Sequence, residues 1–202
     1  MKSEQRKTQI LECAKTLFSA KGYYQTQISD IQQAAGVARG TIYQYFKNKD
    51  DIFVTLLENL YRDWRAELSG RPERNAKAYE NGFEVFKFRI RQTFKFFAED
   101  PDYCNILLKV GLGLGGDFDR VIAQFDRHLV EMTKYYLLSG LKMGRIRSDI
   151  NIEMVTNMIG GAFMRMAFYY GVTRKKRPRL DFDALTEDFV RTFAYGIFPE
   201  NH

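Results

Sequence analysis

The sequence predicts an all-α protein with about nine helices, arranged as a small three-helix head followed by a larger helical body. Apolar residues recur at helical spacing along most of the 202-residue chain. Glycine and proline residues lie where successive patterns end, and no alternating strand pattern competes with the helices. We therefore expect the head to occupy residues 1–49 and the body to occupy residues 50–202.

The composition is that of a globular protein that needs no disulfide bonds. Hydrophobic residues make up 45% and aromatic residues 15% of the chain, and a chain of this length can bury about 70% of its unfolded surface. Cys13 and Cys104 are far apart and are expected to be buried thiols in a reducing compartment. The longest apolar run has five residues, whereas a membrane span needs about 20. We therefore expect a cytoplasmic protein with no membrane partner.

The stretch from Thr26 to Lys49 predicts a helix-turn-helix. Two short helical patterns, 28–35 and 39–46, lie on either side of a sharp turn at Gly36. Glycine adopts the left-handed conformation that such a turn needs. Each pattern has apolar residues four positions apart on one face, Ile31 with Ala35 and Ile42 with Phe46. Two amphipathic helices joined this way form the motif that places a second helix in a DNA groove.

The outer face of the second helix carries side chains suited to DNA recognition. Four of them lie off the apolar stripe and are expected to face solvent: Arg39, Thr41, Tyr43 and Gln44. Arg, Thr and Gln are types that read base edges, and Thr and Tyr also bond phosphate. Gly40 allows close approach of the backbone, and Lys47 and Lys49 precede the expected next helix, where phosphate binds well. The alternative is an ordinary helical corner with a solvated polar face.

The distribution of charge favours the DNA interpretation. Residues 1–49 carry a net charge of +5, and the remaining residues carry only +1. Arg6 and Lys7, near the start of the first helix, could add contacts to the DNA backbone. A positive excess confined to the predicted helix-turn-helix segment is what attraction to a phosphate backbone requires.

The segment Gly22–Phe53 resembles, without a gap, the DNA-binding signature of the TetR family of bacterial transcriptional regulators. The matching motifs are Asp30-Ile31, Ala35-Gly36-Val37, Gly40-Thr41-Ile42-Tyr43, Tyr45-Phe46 and Lys49. The family usually has Thr or Ser where this chain has Gln27, and that residue caps the second helix and touches phosphate. We expect Thr26 or Ser29 to take part of that role. The family often has Ser at the position of Ala38, which would cap the recognition helix.

The resemblance implies a homodimer that binds a palindromic, double-stranded operator and represses transcription. It also implies that Tyr43, Tyr45, Lys47 and Lys49 grip phosphate, with Tyr43 also close to a base. The complete set of predicted DNA contacts is Thr26, Gln27, Ser29, Arg39, Gly40, Thr41, Tyr43, Gln44, Tyr45, Lys47 and Lys49.

The body is predicted to contain six helices, at 50–68, 73–99, a short one after Pro101, and at 117–143, 151–170 and 181–198. The glycine-rich segment 111–116 has no following Lys-Ser or Lys-Thr, so we expect a connector there rather than a phosphate loop. The basic segment 174–179 could be a nucleic-acid patch, but a solvated loop is favoured because the sequence separates it from the head.

The last two helices are predicted to form a four-helix dimer interface, as the resemblance also implies. Gly160 and Gly161 lie in mid-helix, where glycine costs about 1 kcal/mol relative to alanine. Close approach of another helix would explain their presence. The predicted interface residues are Gly160, Gly161, Met164, Phe189 and Phe193.

Nothing in the sequence predicts an enzyme. The two histidines, His128 and His202, do not follow a Glu by three, as a di-metal helical bundle requires. No Ser-His-Asp set or zinc cluster fits the spacings either. We therefore expect no catalytic residue, no metal and no cofactor.

The family resemblance makes the body a site for a small-molecule effector. Aromatic stripes could line an apolar pocket, and polar residues within apolar runs are candidates to contact the ligand. The predicted effector residues are Phe86, Arg89, Tyr103, Phe125, His128, Asn157 and Arg165. The expected ligand is apolar or aromatic-rich, with an anionic group met by Arg165 or Arg89 as one alternative. A different class remains open: a helical ligand carrier or interaction protein whose basic head does not read sequence.

Overall fold

The computed structural model describes residues 2–69, 82–110, 114–173 and 180–195, which contain helices and no strand. The described residues form nine α-helices: α1 Lys2–Lys21, α2 Ile28–Ala35, α3 Arg39–Tyr43, α4 Lys49–Ser69, α5 Gly82–Glu99, α6 Pro101–Asn105, α7 Gly116–Lys142, α8 Ile152–Phe168 and α9 Phe182–Tyr195. Two π-helical turns follow α6 and α8, at Ile106–Val110 and Tyr169–Thr173. The predicted all-α fold with about nine helices is confirmed.

Some predicted features lie outside the described residues. These are the start of the fifth helix at 73–81, the basic segment 174–179, the first part of the glycine-rich segment at 111–113, and the chain beyond 195. Within the described ranges, no helix is both long enough and apolar enough to cross a membrane.

The chain divides into two compact units. The first, called here the head unit, consists of Met1–Asp63 and Asp100–Phe125. The second, the body unit, consists of Trp64–Glu99 and Asp126–His202. Both α4 and α7 contribute residues to each unit. The functional boundary predicted between residues 49 and 50 stays a prediction. The two compact units instead divide the chain after Asp63, Glu99 and Phe125.

The head unit has a single apolar core to which five helices and one π-helical turn contribute. The amphipathic stripes predicted for α1, α2 and the residues after the turn meet in it. Its buried members are Ile10, Leu11, Ala14, Phe18, Tyr23, Ile31, Ala35, Ile42, Phe46, Ile52, Phe53, Leu56, Leu57, Ile106, Phe118 and Val121. Each large apolar side chain buried here stabilises the fold by about 1.5–3 kcal/mol. Because Ile106, Phe118 and Val121 belong to it, the core extends well beyond the first 49 residues.

An aromatic cluster joins the loop after α1 to α4 and α7. The Tyr23 ring lies 5.1 Å from the ring of Phe53 and 5.1 Å from that of Phe118, centroid to centroid. The Tyr23 hydroxyl donates a hydrogen bond to the Asp50 carboxylate at the start of α4. Burial, together with this bond, raises the pKa of Tyr23. The hydroxyl therefore stays protonated and remains a donor at neutral pH.

Polar contacts also connect α1 to α6. The ammonium nitrogen of Lys15 lies 2.7 Å from Asp100 Oδ2 and 2.7 Å from Glu12 Oε2. Burial alone would lower the pKa of Lys15, but its hydrogen bonds to the two carboxylates outweigh burial and raise it. Asp100 also caps α6, because its Oδ1 accepts from the Tyr103 N–H at 3.1 Å. Further along, Asn105 Nδ2 donates to the Ser19 carbonyl at 2.7 Å.

The body unit has its own core, built from α4, α5, α7, α8 and α9. Its buried apolar residues include Trp64, Leu68, Ile90, Phe94, Phe97, Leu129, Ile159, Phe163, Phe189 and Val190. The Phe94 ring lies 4.7 Å from that of Phe163 and 5.5 Å from that of Phe189. This packing joins α5 to both C-terminal helices, and the ion pair between Lys87 and Glu187, 2.7 Å long, adds a surface link between α5 and α9.

Candidate nucleic-acid interface

The turn between α2 and α3 has the geometry that the sequence predicts. Gly36 adopts a left-handed conformation with φ of 61°. Its N–H donates to the Gln33 carbonyl at 3.2 Å, and the Val37 N–H donates to the Gln32 carbonyl at 3.2 Å. Nothing lies within 4 Å of a Cβ placed at Gly36, so backbone conformation rather than space requires glycine there.

The second helix of the motif is shorter than predicted. Helix α3 ends at Tyr43, and the expectation that it reaches Phe46 is wrong. The chain must turn early because α4 is capped close by: the Asp51 N–H donates to Asn48 Oδ1 at 2.8 Å. Hydrogen bonds from the N–H groups of Tyr45 and Phe46 to the Ile42 carbonyl, each 3.0 Å, carry the chain through this turn. Phe46 nevertheless remains in the core.

The structure places most of the predicted DNA contacts on the surface. Ile42 is fully buried, whereas Arg39, Gly40 and Tyr43 of α3 and the following Gln44 are exposed. Thr41 and Tyr45 are half-buried, and Lys47, Gln27 and Ser29 are exposed. The guanidinium carbon of Arg39 lies 5.9 Å from the centroid of the Tyr43 ring. This surface can offer cations, amides and hydroxyls to DNA; the role of each residue stays a prediction.

Thr26 does not belong to this surface, so its predicted DNA contact is wrong. The residue is fully buried. Its hydroxyl donates to the Gly22 carbonyl at 2.7 Å, and it also lies 3.4 Å from the Leu17 carbonyl. Thr26 therefore holds the end of α1 to the following loop and is not accessible to phosphate.

Helix α2 is capped from within its first turn. The Gln27 side chain makes no capping bond, but the Gln27 N–H donates to Asp30 Oδ2 at 3.1 Å. This bond and the nearby Lys21 hold the pKa of Asp30 below its usual value. Ser29 Oγ lies 3.4 Å from Gln27 Oε1, so Ser29 contacts the Gln27 side chain rather than capping the helix. Asp30 thus provides the cap expected from Thr26 or Ser29.

The two lysines after α3 differ in their surroundings. The Lys49 ammonium donates to the Tyr23 carbonyl at 3.0 Å and lies 4.2 Å from the centroid of the Tyr23 ring. Lys47 is exposed, and its backbone N–H donates to Asp51 Oδ2 at 2.8 Å. Replacing Lys49 would therefore disturb the loop after α1, whereas replacing Lys47 removes an exposed charge and keeps its backbone bond.

An open groove of about 500 Å³ lies beside α3. It is lined by Ser3, Arg6, Gly36, Val37, Ala38, Thr41 and Tyr45. Arg6 Nη1 donates to Gln9 Oε1 at 3.0 Å, and Gln9 Nε2 donates to the Ala35 carbonyl at 2.9 Å. Ser3 and Gln9 were not predicted from the sequence. The spacing of Ser3, Arg6 and Gln9, three residues apart on one helical face, is the signal that points to them.

This geometry agrees with comparisons to known proteins. Residues 10–56 match the family model described as "Bacterial regulatory proteins, tetR family". Residues 10–56 thus form a DNA-binding segment of the TetR type. The chain is 28% identical to the fatty acid metabolism regulator protein of Bacillus subtilis over 193 residues, which are 94% of each protein. It is accordingly a DNA-binding transcriptional regulator.

Solved structures of TetR-like regulators share the fold. A crystal structure of the transcriptional regulator FadR from Bacillus subtilis, in complex with stearoyl-CoA, superposes with a TM-score of 0.74 at 22% identity. That similarity covers 95% of this chain and 99% of FadR. A TetR-family transcriptional regulator from Bordetella parapertussis has a TM-score of 0.69 at 22% identity, over 94% of both chains. At these identities the structures show the fold of this protein and no more.

Of the predicted effector residues, Tyr103 and Phe125 belong to the head unit. Tyr103 is half-buried, with the Lys15 ammonium 4.5 Å from its ring centroid, and burial raises its pKa to about 12. Phe125 is buried, with its ring 5.1 Å from that of Tyr61. Both side chains are thus parts of packed clusters, and a ligand contact for either stays a prediction.

The other five effector candidates belong to the body unit, where the structure separates them into two groups. Phe86, Arg89 and His128 are half-buried. Asn157 and Arg165 lie on the exposed face of α8. Because α8 is apolar on several sides, periodicity did not show which side is buried. A ligand contact for Asn157 or Arg165 stays a prediction, and their exposure does not support it.

The predicted dimer residues also differ in burial. Phe189 is only 7% exposed and packs against Phe94 and Phe163, so its predicted place in an interface is corrected to the core. Gly160 is buried, Met164 and Phe193 are half-buried, and Gly161 is exposed. On the same face as Gly161, Met154 and Met158 are 55% and 54% exposed. These methionines, which sequence reasoning missed, extend the exposed apolar face of α8.

The surface around α3 gives a direct test of which residues read bases. Replacing Arg39 by Ala should cost about 1–3 kcal/mol of binding free energy at one base pair and relax the base preference there, because a guanidinium reads a base edge by paired hydrogen bonds. Replacing Lys47 by Ala should weaken binding to all DNA sequences equally, because it removes a phosphate contact. It should also reduce by about 1 the slope of the logarithm of the binding constant against the logarithm of the salt concentration. Both variants are measured on operator and scrambled DNA across a salt series.

Arg147→Ala is the matched control for that experiment, since it removes an exposed cation from the body unit. This variant should have the same operator affinity and the same base preference as the unaltered protein. If Lys47→Ala alters base preference and Arg39→Ala does not, the assigned roles of the two residues are reversed.

Proposed function

We propose that this regulator is a homodimeric repressor that binds a palindromic operator and leaves it when a ligand with a long apolar chain binds. The observation that carries the proposal is the exposed polar surface at α3, where Arg39 in the helix and Gln44 directly after it are exposed while Ile42 is buried. One such helix per subunit, in successive major grooves roughly 34–36 Å apart, would read two symmetric half-sites.

The relatives support the class of effector. The 28% identical Bacillus subtilis protein is named for fatty acid metabolism, and the FadR structure of the same fold holds stearoyl-CoA. The body unit of this chain is correspondingly rich in aromatic residues, among them Phe94 and Phe163. We propose that the effector is a fatty acid or its coenzyme A thioester, whose chain gains free energy by leaving water.

The contacts between α1 and α6 offer a route from ligand to DNA. Helix α6 holds α1 through the Lys15–Asp100 ion pair and through the bond from Asn105 to Ser19. A ligand that displaced α6 would therefore displace α1, and with it the helices that pack on it. Helix α4 provides a second route, because Lys49 at its start is bonded to the Tyr23 carbonyl. An effector shifts the equilibrium only by the difference in its affinity for the two arrangements.

Interface residues on α8 support the dimer. The face formed by Met154, Met158 and Gly161 is exposed in the single chain. Exposed apolar surface of this kind is typical of a protein interface, and a glycine allows two helices to approach closely. We propose that two copies pair through this face of α8 together with the half-buried Phe193 of α9.

Changing Gly161 to Glu should convert the dimer to monomers. Nothing lies within 4 Å of a Cβ at this position, so the new side chain fits the single chain. The helix itself should gain stability, because glycine is unfavourable in helices by about 1 kcal/mol. Sedimentation would then show half the mass, and circular dichroism would show an unchanged helix content. Ala123→Glu, at an exposed site of α7 in the head unit, is the control and should stay dimeric. A monomeric unaltered protein would contradict the proposed interface.

The proposed function is tested by footprinting on the DNA beside the protein's own gene, with scrambled DNA as control. We expect two protected, symmetric half-sites and progressive loss of protection as stearoyl-CoA is added. Coupling between sites is reciprocal, so operator DNA should weaken stearoyl-CoA binding by the same factor. Equal protection of scrambled DNA, or a single unrepeated half-site, would contradict repression from a palindrome. Ligand binding that leaves operator affinity unchanged would remove the allosteric claim.

A further inference from the structure

An arginine inside the body unit lacks a carboxylate partner. Arg89, on α5, is half-buried, and its guanidinium donates to the Leu68 carbonyl near the end of α4. Among the residues that the structure describes, no Asp or Glu forms an ion pair with Arg89, although Lys87 and Arg91 on the same helix each have one. A carbonyl is a dipole and leaves the positive charge uncompensated, and burial of an uncompensated charge is unfavourable.

Three helices meet at this position. The buried Trp64 of α4 donates from Nε1 to Thr93 Oγ1 at 3.3 Å, and Thr93 Oγ1 donates to the Arg89 carbonyl at 2.8 Å. The imidazole ring of His128, on α7, lies edge-on to the Trp64 ring with centroids 5.3 Å apart. Arg65 follows Trp64 directly on α4. These contacts bring the His128 ring and, through Thr93, the backbone of Arg89 to one buried indole, while the Arg65 side chain is exposed.

The charges around His128 are mostly positive. Burial is the main reason why the pKa of His128 lies below its ordinary value. The guanidinium groups of Arg65 and Arg89 lower it further, while the Glu131 carboxylate opposes the shift. Both guanidinium groups therefore disfavour protonation of the His128 ring. A bound anion would reverse this balance and favour the protonated ring.

We propose that Arg89, with His128, forms the site that binds the anionic group of the effector, a carboxylate or a phosphate attached to an apolar chain. The proposal rests on the proposed function for the apolar chain, and it adds which residues bind the charge. Guanidinium groups suit both anions, because their N–H donors match paired oxygen acceptors. The sequence left Arg165 as the alternative, but that residue lies on the exposed face of α8 with its guanidinium 5.9 Å from the Phe168 ring.

Trp64 is the single tryptophan of the chain, so intrinsic fluorescence reports directly on this site. The full-length protein is titrated with dodecanoate, lauroyl-CoA and uncharged 1-dodecanol. Arg89→Gln should weaken binding of at least one of the two anionic ligands by about ten- to a hundredfold, the effect of losing a hydrogen bond to a charged group. Its affinity for 1-dodecanol should stay within about twofold of the unaltered protein, because only the charge contact is lost. Arg89→Lys should recover part of the affinity for the anionic ligands. The control Arg165→Gln, which also removes one arginine, should leave the affinities for all three ligands unchanged.

The pattern of loss identifies the anion. A loss confined to dodecanoate assigns the site to a carboxylate, and a loss confined to lauroyl-CoA assigns it to phosphate. An equal loss for 1-dodecanol would contradict the proposal, because it would show that Arg89 only maintains the fold through its bond to Leu68. A loss of anion affinity in Arg165→Gln, with none in Arg89→Gln, would also contradict the proposed site.

A second measurement separates failure of this site from failure of the proposed function. The chain has two histidines, so the NMR titration of His128 is assigned by comparison with His128→Gln. Dodecanoate, or inorganic phosphate if no chain ligand binds, should raise the pKa of His128, and this rise should be absent in Arg89→Gln. If the unaltered protein binds none of the three chain ligands, the proposed effector class is wrong, while a phosphate-induced rise still supports the anion site. No rise with any anion would overturn the site itself.

Discussion

The ion pair between Lys15 and Asp100 is the contact on which the arrangement of the head unit depends. It connects α1, on which α2 of the helix-turn-helix packs, to a segment 85 residues further along the chain. Lys15 is 8% exposed, so the charge is stable there only because two carboxylates, those of Asp100 and Glu12, approach it. The same Asp100 caps α6. One carboxylate therefore fixes both the start of α6 and its distance from α1.

The apolar core extends this connection toward the DNA-binding surface. Phe118 of α7 contacts Tyr23 and Phe53, and Tyr23 also bonds to Asp50 at the start of α4. From α1, the Gln9 side chain bonds to the Ala35 carbonyl at the end of α2. The helix that reads DNA is thus positioned by residues from the first 60 positions and from 100–125 together. Any displacement of α6 or of the first half of α7 would strain contacts of the head core.

The sequence was sufficient for the local parts of this arrangement. The turn at Gly36 and the apolar pairs on either side of it are set by residues within about ten positions, so their pattern predicts them well. The exposed face of α3 followed from the burial of Ile42. Thr26 was misassigned because its hydroxyl bonds to carbonyls of Leu17 and Gly22, a tertiary contact that no periodicity shows.

The parts that could not be predicted depend on packing between distant segments. Nothing in the pattern around Phe118 indicates that it completes a core with Phe18 and Phe53. In α8, apolar residues lie on several sides of the helix, so the exposed position of Arg165 was not evident. Arg89 was singled out because it interrupts an apolar run, but only the structure shows that its guanidinium bonds to the Leu68 carbonyl and forms no ion pair within the described ranges.

We propose that the helices of the helix-turn-helix, α2 and α3, form one cooperative unit with residues 100–125. The most direct test is native-state hydrogen exchange of Phe118→Ala, which removes a ring from the shared core at a cost of about 3–5 kcal/mol. We expect the amides of α1, α2 and α4 to lose protection together with those of the first half of α7. The control is Tyr135→Ala, at a 67% exposed site of the same helix, which should leave the protection of all these amides unchanged. Loss of protection confined to α7, with α1 and α2 as protected as before, would contradict the proposal.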